Sequence, residues 1–343
     1  MHQGDKQVIA IPPGALTGTA KIRGVVEAFM QRTPLPIGPR QKFAMLPIRF
    51  ITDLYQLLLE SRKLNFIDFS DLRFSTNADI STEDGLRAVY KEEYRNWRNQ
   101  ASASDRRITV LIQHDSDDGP KETEYLCTLE SELGIKSTTA VFANKMGHDG
   151  RCSTYGIDYA LLRRLQVERG MCFAYHCNAA ELASYDSSRV ASVFNSDIEF
   201  LENQGLVIKF FSPHGGVVGP DGRNNHSYYY PEFSRRRLLW THNRFAPSGT
   251  RYSDGSWLGR IRKLDSGLDL RGFLVSQLAK PNPHTNRLFM LIHPQYYFAI
   301  DSVAAEEHFP TNPWLREFWD LYSRGASAAF WEPVRAALRA VEV

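Results

Sequence analysis

The feature that most constrains this chain is a regular alternation of strand-type and helix-type patterns that begins near residue 106. Predominantly apolar and β-branched runs predict buried strands at 108–112, 137–142, 171–175, 207–211 and 287–292. Between the first four of these runs, apolar residues recur at helical spacing and each helical pattern ends at a glycine, namely Gly134, Gly170 and Gly205. Strands that alternate with helices need crossover connections, which favour a largely parallel sheet.

The composition narrows the class of protein. The chain has 343 residues, of which 43% are hydrophobic and 23% charged, and this is long enough for one α/β barrel or two smaller domains. Because 41 basic residues nearly balance 39 acidic ones, we expect no nucleic-acid partner. No apolar run approaches the roughly 18 residues of a membrane-spanning helix, and no secretion signal is evident. The four cysteines stand singly, which favours reduced thiols and a cytoplasmic location.

Three parts of the chain are expected. Residues 1–105 form an N-terminal extension that packs on the barrel, and its Gly- and Pro-rich stretch 1–40 predicts an irregular lead-in. Residues 106–305 form the barrel, in which 215–285 is a long loop-rich insertion before the last barrel strand. Residues 306–343 form C-terminal helices, whose aromatic side chains belong either to the core or to a homodimer contact.

Ionisable side chains follow four of the predicted strands. The first strand runs into the segment from His114 to Asp118, and later strands run into His176, His214 and His293. In parallel α/β folds the carboxyl ends of strands converge on one face, where catalytic and metal-binding groups lie. Helix capping explains the aspartates but not the histidines, since His is no preferred N-cap. We therefore expect one shared site.

Such a set of side chains indicates metal-assisted hydrolysis. Two imidazoles and a carboxylate suit Zn²⁺ or another divalent cation, a further carboxylate can act as base, and a further His can protonate a leaving group. The chain has no GxSxG nucleophile motif, no P-loop and no GxGxxG in the required context.

Taken in order, these residues resemble the polysaccharide deacetylases, the carbohydrate esterase family 4 or NodB-homology group, and most closely the subgroup that begins with an HDVD-type motif. The segment from His114 to Asp117 stands at that motif, and the segment from Asp117 to Pro120 is similar to the DDGP of other members. Colinear matches across about residues 106–298 are Tyr175-His176, Ser212 to Gly215, Tyr252 to Asp254 with Trp257, and Leu291 to Pro294.

The resemblance implies a distorted (β/α)7, TIM-barrel-like fold and the removal of acetyl groups from N-acetylated sugars. It implies a divalent cation, with Zn²⁺ expected, held by one Asp and two His, and the absence of a secretion signal favours an intermediate of bacterial surface-polysaccharide (O-antigen-like lipopolysaccharide) biosynthesis. The expected ligands are Asp117, His176 and His214, and the expected catalytic residues are the base Asp115, the acid His293 and Asp254.

Two of these assignments have alternatives. The HDVD alignment makes Asp115 the base and Asp117 the ligand, whereas the DDGP alignment makes Asp117 the base and Asp118 the ligand. Strand periodicity favours the HDVD alignment, because Asp115 and Asp117 share a face. The second family motif carries a further His where this chain has Ala180. His214 is the candidate replacement, with Asn178 or His148 as substitutes, and His114 and Asp118 are further alternates for the site. 

Ser212 stands where the third family motif has an Arg that orients the base, so Arg244, Arg251 or Arg260 would have to substitute. The aromatic residues of the insertion suit a saccharide cleft or ordinary packing. The expected substrate-binding residues are Tyr252, Trp257 and Arg244. The alternative function, from a different class, is a carbohydrate-binding relative that has lost turnover.

Overall fold

A parallel sheet built around one fully buried strand organises the chain. In the computed structural model this strand is Ile108–Asp115, and all eight of its residues are buried. The structure describes residues 19–36, 46–61, 64–75, 79–100, 108–147, 150–215, 218–220, 222–228, 230, 235–241, 250–254, 272, 275, 287–299 and 319–340.

Ten strands and eight α-helices are named here in chain order. The strands are β1 Leu64–Ile67, β2 Ile108–Asp115, β3 Thr138–Val141, β4 Asn144–Met146, β5 Cys152–Thr154, β6 Cys172–Cys177, β7 Phe210–Pro213, β8 Leu239–Trp240, β9 Thr250–Ser253 and β10 Arg287–Ile292. The helices are α1 Thr19–Arg32, α2 Ile48–Glu60, α3 Glu83–Gln100, α4 Pro120–Leu133, α5 Tyr159–Arg169, α6 Ala179–Leu182, α7 Ser187–Asn203 and α8 Ser327–Ala340.

Seven strands form one continuous parallel path in the order β8-β7-β6-β3-β2-β10-β9. β1 pairs with β2 from Ile108 to Leu111, and β3 pairs with it from Gln113 to Asp115, so the two share one edge of β2 while β10 occupies the other. The sheet curls into a half-barrel, which agrees with the expected TIM-like α/β class. The expected count of seven βα units stays a prediction, since the sheet has eight strands.

Alternation along β2 separates a helix-covered face from the face that carries the site. Ile108, Val110 and Ile112 pack into a core cluster with residues of α1, α2, α4 and α8. Leu111 packs into a second cluster with residues of α5, α7, β3 and β6. Because side chains alternate across a strand, Gln113 and Asp115 lie on the same face as Leu111.

Two local predictions are wrong. The expected irregular lead-in over 1–40 contains α1, because Ile22, Val26 and Phe29 recur at helical spacing between the Gly- and Pro-rich stretches and are buried in the first core cluster. The fourth strand begins at Phe210 rather than at residue 207. Val207 is 59% exposed, and its backbone N–H and C=O are bonded by the side chain of Gln166 instead of a strand.

The division expected at residue 106 stays a prediction, although β1 places part of the preceding stretch in the same sheet. The stretch 215–285 supplies β8 and β9. Among the helices that the structure describes, none is both long and apolar enough to cross a membrane.

Candidate metal centre

One carboxylate and two imidazoles meet at the carboxyl ends of three strands. Asp117 lies in the turn after β2, His176 lies near the end of β6, and His214 directly follows β7. One ligand atom of each lies within 4.8 Å of the others. Oδ1 of Asp117 is 2.9 Å from Nε2 of His176 and 3.6 Å from Nε2 of His214. This set is a candidate metal site, and the metal's identity is open.

The two imidazoles are oriented by their surroundings. Nδ1 of His176 donates to the carbonyl oxygen of Ser212 at 2.9 Å, so this nitrogen carries the hydrogen and Nε2 faces Asp117. The ring of Phe142 packs against both imidazoles, with ring centroids 4.5 Å from His176 and 5.2 Å from His214. Nδ1 of His214 lies 3.7 Å from Oε2 of Glu181. A carboxylate or carbonyl beside the far nitrogen of a His is the usual environment of a metal-bound imidazole.

Electrostatics favour the ionised carboxylate in this cluster. Burial alone would raise the pKa of Asp117, but His293, His176 and His214 together hold it well below its usual range. Burial would likewise lower the pKa of His176, yet Asp115 and Asp117 raise it above the ordinary value, so the two carboxylates favour a second proton on this imidazole. A cation bound here would replace that proton, because metal ligation needs the neutral imidazole.

His293 and Asp254 form a second charged pair at the same mouth. His293 follows β10 and Asp254 follows β9, and Nδ1 of His293 donates to Oδ1 of Asp254 at 2.5 Å. Nε2 of His293 lies 3.7 Å from Oδ2 of Asp117. Burial would lower the pKa of His293, but Asp254 and Asp117 raise it to about 10, so this imidazole is protonated at neutral pH.

Asp115 is oriented by a side chain that the sequence did not single out. Nε2 of Gln113 donates to Oδ1 of Asp115 at 2.8 Å and also contacts Oγ of Ser212 at 3.1 Å. All three residues are buried. Their alternation on β2 was the only available signal, since Gln113 precedes Asp115 by two positions and shares its face. An amide therefore makes the contact to the base that the family resemblance led us to expect from an arginine.

The three cation-site residues line one cavity of about 280 Å³ together with Asp115, Gln113 and His293. Its wall is polar and carries a fourth imidazole, His226, which lies on a short 3-10 helix and was missed because no strand precedes it. The lining residues are Gln113, Asp115, Asp117, His176, Ser212, Pro213, His214, Gly215, His226, Leu291 and His293.

The alternates lie elsewhere. Nζ of Lys145 contacts Oδ1 of Asp118 at 2.7 Å, and this carboxylate is not part of the group of three. The choice between the two carboxylate registers stays a prediction. His114 is fully buried on the opposite face of β2, where its Nε2 lies 2.7 Å from Oε1 of Glu130. Nδ2 of Asn178 donates to the backbone oxygen of Asn144 at 3.2 Å, and Asn178 is not among the cavity-lining residues.

The expected substrate-binding residues are only partly described. Tyr252 is 4% exposed and packs in the first core cluster rather than among the cavity-lining residues. The side chain of Arg251 is outside the described part of the chain. So are four further residues of the sequence analysis: His148, Arg244, Trp257 and Arg260.

In a comparison with known proteins, no family model matches the chain and no curated protein matches it.

Proposed function

We propose that the chain is a metal-dependent hydrolase that removes an acetyl group from an N-acetylated sugar. One observation carries the proposal. A candidate cation site, a separate carboxylate and His293, which is paired with the buried Asp254, all border the same cavity. Hydrolysis of an amide needs these three functions together: activation of the carbonyl and of water, a base, and an acid for the leaving amine.

The donor atoms fit a borderline divalent cation. One carboxylate oxygen and two imidazole nitrogens are the donor set that Zn²⁺ accepts in open, catalytic sites, and His176 is already held with Nε2 toward the site. Asp117, His176 and His214 would hold the ion. When bound, it supplies Lewis acidity that polarises a carbonyl and makes a water molecule easier to ionise.

The remaining chemistry belongs to the side chains. Asp115, held by Gln113, takes the proton from the attacking water. His293 enters the reaction protonated, because Asp254 and Asp117 stabilise its positive charge, and it gives its Nε2 proton to the departing amine. Asp254 keeps the ring in the required orientation through Nδ1.

The size and the polar lining of the cavity favour a small polar substrate over a large apolar one. A volume of about 280 Å³ is at the lower end of small-molecule sites, which suits one acetamido sugar unit. The colinear resemblance to polysaccharide deacetylases supports acetyl as the acyl group that is transferred to water, and bacterial surface-polysaccharide assembly as the setting. The cytoplasmic location and the homodimer stay predictions.

The test combines metal analysis with product detection. The purified protein is stripped, reloaded with Zn²⁺, and incubated with N-acetylated monosaccharides, sugar nucleotides and oligosaccharides while acetate and free amine are measured. We expect about one Zn²⁺ per chain and acetate release that Asp115→Asn abolishes while the metal is retained. If the protein takes up Zn²⁺ and binds saccharides but releases no acetate, it is the non-catalytic carbohydrate-binding relative. If it releases phosphate from phosphoesters, it belongs to another class of hydrolase.

A further inference from the structure

The turn that carries Asp117 has an unfavourable backbone conformation that other groups must hold. Asp117 has a φ of +21°, a region that non-glycine residues rarely adopt. The backbone on either side is fixed: Ser116 N–H donates to the oxygen of Ala140 at 3.1 Å, and Tyr155 OH donates to the oxygen of Ser116 at 2.7 Å. Such conformations persist only where the surroundings over-determine them.

Lys145 on β4 holds the backbone of Asp117. Its Nζ donates to the carbonyl oxygen of Asp117 at 2.8 Å and to Oδ1 of Asp118 at 2.7 Å. The same ammonium lies 5.1 Å from the ring centroid of Phe142, which packs against both candidate imidazole ligands. Lys145 is therefore connected to all three members of the cation site, although it is 20% exposed and contributes no ligand atom.

Gln295 holds the other side of the same carboxylate. It lies in the 3-10 helix Pro294–Tyr297 after β10, and its Nε2 donates to Oδ2 of Asp117 at 3.3 Å. Gly119 allows this approach, because a Cβ at that position would lie only 3.0 Å from Cβ of Gln295. With Oδ2 engaged by an amide, Oδ1 is the oxygen that faces His176 and His214.

We infer that Lys145 and Gln295 are positioning residues for the cation site, which hold Asp117 from outside so that Oδ1 points at the two imidazoles. The inference rests on the proposed function, because it presupposes that the three residues bind a metal. Outer residues that orient a ligand typically change metal affinity by about 10- to 100-fold when they are lost.

The charge of Lys145 makes the inference testable by the sign of the effect. A nearby ammonium repels a bound cation, so its removal on electrostatic grounds alone should tighten metal binding. Loss of positioning should weaken binding instead. Gln295 is neutral, so Gln295→Met probes the positioning contact without changing the charge.

The experiment measures Zn²⁺ affinity by competition with a chromogenic chelator for the wild type, Lys145→Met and Gln295→Met, each checked for folding in EDTA. The matched controls are Lys121→Met, which removes an exposed lysine that pairs with Glu124, and Gln56→Met, which removes a helix-surface amide that bonds Glu60. We expect both test variants to bind Zn²⁺ about 10- to 100-fold more weakly than the wild type, with both controls unchanged.

The outcomes separate the two proposals. If the wild type binds Zn²⁺ and either folded test variant binds as tightly or more tightly, the positioning inference is wrong and the proposed function stands. If the wild type takes up no Zn²⁺, the proposed function is wrong and the inference falls with it. Should one variant fail to fold, the other decides the question.

Discussion

Both carboxylate oxygens of Asp254 accept hydrogen bonds from His293. Oδ1 accepts the Nδ1 hydrogen at 2.5 Å, and Oδ2 accepts the backbone N–H of the same residue at 2.6 Å. The hydroxyl of Tyr297 also donates to Oδ2, at 3.2 Å. The fully buried carboxylate thereby fixes both the ring and the backbone of His293, and it leaves only Nε2 for chemistry in the cavity.

Asp254→Asn is expected to lower the rate of acetate release by about 10²–10⁴-fold, the usual contribution of a general acid. The negative charge of Asp254 raises the pKa of His293. A neutral amide at this position no longer does so, and less of the imidazole is then protonated. Acetate release and Zn²⁺ content are measured together. A variant that keeps both the rate and the metal would show that the pair is structural.

Zn²⁺ is expected to raise the unfolding temperature of the wild type, because a ligand bound only by the folded state stabilises it. At a free Zn²⁺ concentration of 100 times the dissociation constant, the gain is about 2.7 kcal/mol. His176→Ala should lose this gain, because it removes one of three ligands. Thermal unfolding with Zn²⁺ and with EDTA checks the prediction, and an equal upward shift in the variant would contradict the assigned site.

Glu130→Ala is expected to lower the free energy of unfolding by about 3–5 kcal/mol. Glu130 is fully buried, contacts His114, and accepts hydrogen bonds from Tyr55 and Ser137, all of which lose their partner. Glu132→Ala, on the same helix, removes only a surface ion pair with Arg32 and should cost less than about 1 kcal/mol. Urea unfolding compares the two, and similar values would contradict the buried network.

Cys152 is expected to be the single thiol that reacts rapidly in the native protein. It is exposed, whereas Cys127, Cys172 and Cys177 are buried. Burial raises the pKa of both Cys172 and Cys177 to about 12, so they carry little thiolate at neutral pH. Titration with a thiol reagent should show one rapidly reacting thiol per chain in the native protein and four in denaturant. Cys152→Ser should remove the rapid reaction. A fast reaction that persists in Cys152→Ser would contradict the fold.

The periodic elements could be predicted from the sequence because their patterns are local. The strand at 108–112 and the helix that ends at Gly134 follow from apolar runs and spacing, and the structure has them as β2 and α4. The start of β7 could not be predicted, because Val207 is apolar like the strand residues that follow it. Its backbone bonds the side chain of Gln166, 41 positions away, instead of a neighbouring strand. α1 was not predicted, because the Gly and Pro residues on either side of it indicated an irregular stretch and its apolar pattern is short.

The sequence by itself determined which strand ends carry His and Asp, and it made Asp117, His176 and His214 the expected group among several alternatives, because parallel strands all have their carboxyl ends at one edge. Only the tertiary structure decided how each group is oriented. The contact of Lys145 with the backbone of Asp117, the contact of Gln295 with its carboxylate and the burial of Tyr252 depend on contacts between distant segments. Such contacts leave no periodic trace in the chain, since they are set by the three-dimensional packing of side chains rather than by their spacing.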